Sequence, residues 1–168
     1  RPITSRTPDE AEELIARWYR EWAPGPHGDT IEEGDVIVID AHDLEVGFIG
    51  SNNALGWMAV GAVGAVTNGG CRDTDELIKE RVPVYSRLVT KTIRPGRLEF
   101  LGEQEVITVG GVMVRPGDLV VADGDGVVVV PIEVAEDVAR YAWNVARGDK
   151  AGRRKLYEKV GLKPDDTL

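Results

Sequence analysis

Two apolar runs set the first limit on the fold. Val36-Ile37-Val38-Ile39-Asp40 and Leu119-Val120-Val121-Ala122-Asp123 are each entered through Gly-Asp, at Gly34-Asp35 and Gly117-Asp118, and each ends in an aspartate. Runs of this β-branched character, bounded by turn residues, predict buried strands rather than helices. The offset between the two glycines (117 − 34 = 83) is too long for a solenoid repeat. The recurrence predicts one strand-opening device used twice within one sheet system.

Around these strands the chain alternates. Residues 2–7 read as a short strand or an extended start. Thr7 is a predicted N-cap, Pro8 the first helical residue, and Asp9 and Glu10 favour the positive helix end. Leu14, Ile15, Trp18, Tyr19 and Trp22 form that helix's predicted apolar stripe, which packs as core. Residues 23–28 break it into a loop holding a solvated His27. A short helix over 74–81 should turn Leu77 and Ile78 inward and end at Pro83, before strands at 84–85 and 88–93. Residues 106–131 are β-rich, with tight turns at Gly110-Gly111 and Gly124-Asp125-Gly126. A last long helix is predicted from 132 to about 147, burying Val134, Val138, Tyr141, Ala142 and Val145. Gly148 should stop it, leaving 148–168 as a further helix or tail. The class is α/β with a β-rich C-terminal half, which fits a plain doubly wound sheet poorly.

Composition narrows the function. A chain of 168 residues fits one domain with a single core. Its formal net charge of −9 argues against non-specific nucleic-acid binding, which needs a basic footprint. The basic group Arg153-Arg154-Lys155 reads as the solvated face of a final helix. No apolar run is long enough to span a bilayer, and no secretory signal is present, so the cytoplasm is the default location. Cys71 is the only cysteine, and His27 and His42 are the only histidines, too few for a Cys/His zinc cluster. Arg1 rather than Met opens the chain, which suggests a processed or truncated product.

The stretch from 50 to 73 is where chemistry is expected. Gly50-Ser51-Asn52-Asn53 is a turn leading into an apolar helix with Leu55, Met58, Ala59 and Ala62 at helical spacing. Ala65-Val66-Thr67 reads as a buried strand and Asn68-Gly69-Gly70 as a turn that delivers Arg72 and Asp73. Helix-terminal amides and Arg suit a carboxylate, and Asp suits a hard metal ion. The competing account makes Asp73 the N-cap of the helix at Thr74, with Asp75 and Glu76 complementing the dipole. On residues alone the two stand level. Other motifs fall away. Gly61-Ala62-Val63-Gly64 lacks the spacing and the strand-to-helix position of a dinucleotide fingerprint. Asp123-Gly124-Asp125-Gly126 holds Val127 and Val134 where a calcium loop needs oxygen ligands. Cys71 beside Arg72 has no nearby His to act as base and reads as a small buried side chain.

The segments Gly34 to Asp40, Gly50 to Asn53, Gly69 to Asp73, Asp75-Glu76-Leu77 and 110–131 (GGVMVRPGDLVVADGDGVVVVP) resemble the RraA-like family. Its members include 4-hydroxy-4-methyl-2-oxoglutarate aldolases, oxaloacetate decarboxylases and regulators of ribonuclease E activity. The resemblance implies a β/β/α sandwich assembled as a homotrimer or homohexamer. It implies that the amides of Gly50, Ser51, Asn52 and Asn53, with Arg72, hold a pyruvate-like substrate, and that Asp73 holds Mg²⁺ or Mn²⁺. Arg72 and Asp73 would then be the catalytic pair of a divalent-metal-dependent lyase acting on a 2-oxo acid. The alternatives are a regulator-type protein-binding module and another metal-assisted reaction, such as dehydration. Two departures from the family pattern stand out. Ser51 occupies a loop position where the aldolases often carry Asp or Glu to hold metal-bound water, and Ser does not take up a proton at neutral pH. Arg1-Pro2-Ile3-Thr4 resembles an internal strand of the family, so its usual N-terminal segment, which in some aldolases brings an acid to a neighbour's site, is expected either to have been removed or to be dispensed with in this branch.

Overall fold

A computed structural model describes residues 7–24 and 28–168. The start at 2–6 and the His27 loop position lie outside the described residues. Helix α1 (Pro8–Glu21) opens as its sequence dictates. The Thr7 N–H donates to the Glu10 carboxylate at 2.8 Å, and the Glu10 N–H donates back to the Thr7 hydroxyl at 3.3 Å, closing a capping box. Of its predicted stripe only Trp18 is buried, while Leu14, Ile15 and Trp22 remain exposed.

Strands β1 (Val36–Ile39), β2 (Gly47–Ile49), β3 (Gly64–Cys71) and β4 (Val84–Val89) form one parallel sheet with β3 at its centre. Strand β4 pairs with β3 from Ala65 to Cys71 and so takes one whole edge. The other edge is shared end to end: β1 pairs with residues 64–67 and β2 with Gly70 and Cys71. Asn68 lies at the junction. Its Oδ1 accepts the Ala41 N–H at 2.7 Å and its Nδ2 donates to Asp40 at 2.8 Å, tying down the chain where it leaves β1. Asn68-Gly69-Gly70 is therefore strand, not the predicted turn. The glycines serve close approach instead: a Cβ on Gly69 would lie 2.6 Å from the Ala41 Cβ. The two strands expected at 84–85 and 88–93 are merged in the single strand β4, which ends at Val89, so 90–93 are not strand.

Between these strands lie α2 (Ser51–Ala59) and α3 (Thr74–Glu80). Helix α2 buries Ser51, Ala54 and Trp57; of the predicted Leu55, Met58, Ala59 and Ala62 face only Ala62 is buried, and it lies beyond the helix end, while the indole takes the core side and joins Ile49, Ala62, Ala65 and Leu77 there. In the short α3 Leu77 is buried, but Ile78 faces outward.

The C-terminal half is β-rich as expected. Strands β5 (Ile107–Val109) and β6 (Val112–Val114) form one antiparallel hairpin, and β7 (Leu119–Asp123) and β8 (Gly126–Val130) another. The Gly-Asp device is the same at both sites: each glycine has positive φ (95° and 86°). Each aspartate accepts the N–H three residues earlier, Asp35 from Glu32 and Asp118 from Arg115, both at 2.9 Å. It serves two separate sheets, however, not one.

Helix α4 runs without interruption over Ala135–Val160. Gly148 does not stop it, because a glycine in an exposed helix costs only about 1 kcal/mol; the stop is Gly161, in the left-handed conformation. Residues 161–168 fold back, with Arg153 and Tyr157 bonded to Thr167. Val134, Val138, Tyr141, Ala142 and Val145, predicted as buried, are all exposed. Among the described residues no helix is long and apolar enough to cross a membrane.

Candidate functional site

The carboxyl ends of β2 and β3 meet, and parallel sheets place ligands outside such ends. The Arg72 N–H donates to the Ile49 carbonyl at 2.9 Å, locking the exit of β3 to that of β2. Gly50 then caps α2 with extended backbone and no side chain, so the first amides of α2 open toward Arg72 and Asp73. A Cβ on Gly50 would lie 2.7 Å from Asp73 Oδ2 and 3.0 Å from a terminal nitrogen of Arg72. Only glycine permits that approach. The structure thus brings together Gly50, Ser51, Arg72 and Asp73, with Asn52 and Asn53 following in the first turn of α2.

Asp73-Thr74-Asp75-Glu76 has the sequence of a second capping box, yet neither half forms. Asp73 occupies the N-cap position without any side-chain cap bond. Its Oδ2 instead accepts the Ser51 N–H at 3.3 Å. The Glu76 carboxylate is also diverted, accepting the Ser51 hydroxyl across the gap between the helices. Asp73 is moreover held in the left-handed region at φ 57°. Forgoing a cap costs about 0.5–2 kcal/mol, and a non-glycine residue held there costs on the order of 1–3 kcal/mol. Local rules broken together in this way mark functional sites. The cap account of Asp73 therefore fails on geometry. Accordingly, Asp73→Gly should lower the unfolding free energy in denaturant by less than about 1 kcal/mol or raise it, since glycine adopts this conformation freely. A loss well beyond that would make the carboxylate a structural brace.

Arg72 is half-buried, and its Nε is fully buried with no hydrogen-bond partner among the described residues. Its nearest carboxylate contact, to Asp73 Oδ2, is 3.9 Å, too long for a hydrogen bond. A buried donor left unpaired costs about 1–3 kcal/mol, a penalty that a carboxylate ligand accepting from the guanidinium fork removes. Sequence reasoning missed Arg94, which is only 8% exposed. Its guanidinium lies over Phe48 at 4.7 Å and over Tyr19 at 5.1 Å. Burial pushes its pKa below the usual guanidinium range; Tyr19 acts the other way, and the charge of Arg72 adds to the lowering. No motif could have shown it, because its neighbours come from distant segments. Glu76 was legible as a helix-dipole residue and as part of the Asp75-Glu76-Leu77 resemblance, but not as a partner of Ser51.

Among the described residues no three His, Cys, Asp or Glu side chains gather as a metal cluster. A Mg²⁺-type ion needs less: one or two carboxylates, with water and substrate oxygens completing its shell. Asp73, turned out of its cap and engaged through Oδ2 alone, fits that demand. Cys71 is buried, with the Ser86 hydroxyl 3.1 Å from Sγ, as a small packed side chain. A groove of about 1130 Å³ between β1 and residues 98–120 includes neither Arg72 nor Asp73; strand β1 and the loop at 98–106 supply much of its lining. The paired donors and carboxylates gather instead on the polar ledge at the strand ends.

Residues 22–129 match the RraA-like family, described as Aldolase/RraA. A protein provisionally named a 4-hydroxy-4-methyl-2-oxoglutarate aldolase in Halalkalibacterium halodurans is 36% identical over 129 residues, 76% of this chain and 60% of that one. The 4-hydroxy-4-methyl-2-oxoglutarate aldolase of Thermus thermophilus is 36% identical over 101 residues, covering 58% of this chain and 60% of its own. The chain thus spans about three fifths of the length of these relatives. Among solved structures, Streptomyces coelicolor RraAS2, described as an unusual member of the RNase ES inhibitor RraA protein family, superposes with a TM-score of 0.68. The two are 28% identical, over 75% of this chain and 65% of that one.

Proposed function

Because the chain belongs to the RraA-like family, we propose that it is a carbon–carbon lyase that converts a 2-oxo acid to pyruvate through an enolate. One observation supports this reading above the rest. The unpaired buried Nε of Arg72, the open N-terminus of α2 and the turned-out carboxylate of Asp73 converge at the ends of β2 and β3. In this reading the fork of Arg72 and the first amides of α2 hold the substrate carboxylate. That grip keeps the scissile bond aligned with the carbonyl π system. In aldol cleavage the 4-hydroxyl loses its proton, the C3–C4 bond breaks, and its electron pair moves toward the 2-oxo group. Protonation at C3 then gives pyruvate, and the other fragment leaves as a carbonyl compound. Asp73 is the residue to hold Mg²⁺ or Mn²⁺, which when bound supplies Lewis-acid stabilisation of the developing charge.

The test is turnover of 4-hydroxy-4-methyl-2-oxoglutarate and of oxaloacetate with each metal. Wild type should act on at least one of them, lose activity with chelator and regain it with metal, and Asp73→Ala should not regain it. Inactivity toward both, with either ion, would sink the lyase reading for these substrates. Likeness to the inhibitor-family protein supports a second reading, a regulator-type binding module, which predicts that inactivity. The exposed apolar residues Val138, Tyr141 and Val145 on α4 support assembly as a homotrimer or homohexamer. Light scattering that reports a monomer at micromolar concentration would contradict it.

A further inference from the structure

We propose that Ser51 and Glu76 act as a pair that selects a hydroxylated 2-oxo acid over one without a hydroxyl; the inference rests on the lyase reading above. It follows from counting donors. Ser51 has two, its backbone N–H and its hydroxyl proton. The N–H goes to Asp73 Oδ2 and the hydroxyl to the Glu76 carboxylate. That second bond runs from the hydroxyl to a carboxylate oxygen, which accepts. The lone pairs of Ser51 Oγ are what remain. Ser51 is 6% exposed, so bulk water does little to relax that constraint.

A group meeting Ser51 Oγ must therefore bring its own proton. The hydroxyl of a 4-hydroxy-2-oxo acid does so. Oxaloacetate, ionised at its far end, offers only acceptors there, and two acceptors face to face repel. Glu76 is a positioning residue in this scheme. It touches no substrate, and it acts by holding the Ser51 hydroxyl turned away from the ligand. The start of α3 bears the cost of the arrangement, since Asp73 and Glu76 abandon the capping box that their sequence encodes. A site that hydrogen-bonds a substrate hydroxyl can discriminate strongly against analogues lacking it, because its own polar group is then left unpaired.

The experiment compares kcat/KM for 4-hydroxy-4-methyl-2-oxoglutarate cleavage and oxaloacetate decarboxylation in wild type, Glu76→Leu and Ser51→Ala, with pyruvate affinity measured by calorimetry. In Glu76→Leu the Ser51 hydroxyl is released to rotate and donate. The ratio favouring the hydroxylated acid should fall about tenfold or more. Pyruvate affinity in that variant should stay within about twofold, because pyruvate lacks the hydroxyl and is held by Arg72 and α2. Ser51→Ala should lower the same ratio, and Ser51→Thr, which keeps a hydroxyl, should restore it. If both activities and pyruvate affinity fall together with the ratio unmoved, the pair is a structural tie and the inference is overturned. A wild type that prefers oxaloacetate also overturns it while leaving the lyase reading intact. A wild type inactive toward both substrates removes the lyase reading and the inference together.

Discussion

Arg72→Lys should cut catalytic efficiency roughly ten- to hundredfold, an unusually large effect for a swap that keeps the charge. Lysine retains a cation but not the planar fork, and a charge-assisted bond lost from a carboxylate costs about 1.5–3 kcal/mol. The geometry sharpens the expectation. The guanidinium carbon lies so close to Gly50 that a Cβ there would sit 3.1 Å from it. An ammonium group at the end of a flexible stem cannot reproduce that wedge between β2 and α2. Steady-state kinetics under saturating metal measures the effect, and a drop of less than threefold would remove Arg72 from the carboxylate clamp. Circular dichroism should show the fold unchanged, since Arg72 adds no side-chain hydrogen bond among the described residues.

Gly70→Ala should destabilise the protein by about 1–3 kcal/mol, as overpacking does in a filled core. The new Cβ would lie 2.6 Å from the Thr90 Cγ2, 2.9 Å from the Leu88 Cδ1 and 3.0 Å from the Val46 carbonyl oxygen. The two side chains can rotate, but that carbonyl accepts the Gly70 N–H at 2.9 Å and moves only if the ladder does. Gly56→Ala is the matched control. It lies inside α2 with no atom within 4 Å of the added carbon. The same chemical change should there stabilise by about 0.5–1 kcal/mol. Urea denaturation of both variants reads the sign directly, and a neutral Gly70→Ala would mean that the β2–β3–β4 seam is loose.

These glycines also show where sequence is ambiguous. Asn-Gly-Gly is ordinary turn chemistry, and nothing local separates it from a strand crossed closely by neighbouring chains. Only the end-to-end sharing of one β3 edge, fixed by distant segments, decides. Elements with local causes were legible: the Thr7 cap, the strand expected at 36–40 (observed at 36–39 and half-buried rather than buried), both C-terminal hairpins, and the position of Arg72 and Asp73 at the end of β3. Face assignments failed where periodicity allowed more than one solution. Trp57 took the core side of α2, and the apolar row of α4 found nothing to pack on. Glu76 and Arg94 escaped because their roles depend on partners 25 or more residues away in the chain: Glu76 meets Ser51, and Arg94 stacks on Phe48 and Tyr19.

Helix α4 has a consequence of its own. With 26 residues and none of them buried, it depends on its own helix–coil equilibrium for most of its order. Among the described residues its attachment to the rest centres on the turn at 132–134, where the Ile132 N–H donates to Asp118 at 3.4 Å and the exposed Arg115–Glu133 ion pair spans 3.0 Å. In a lone chain its amides would exchange with solvent far sooner than those of β3, by local opening rather than global unfolding. Burying Val138, Tyr141 and Val145 against another surface would raise their protection toward that of the sheet. The exchange rate of this one helix therefore gauges, residue by residue, whether the molecule stands alone.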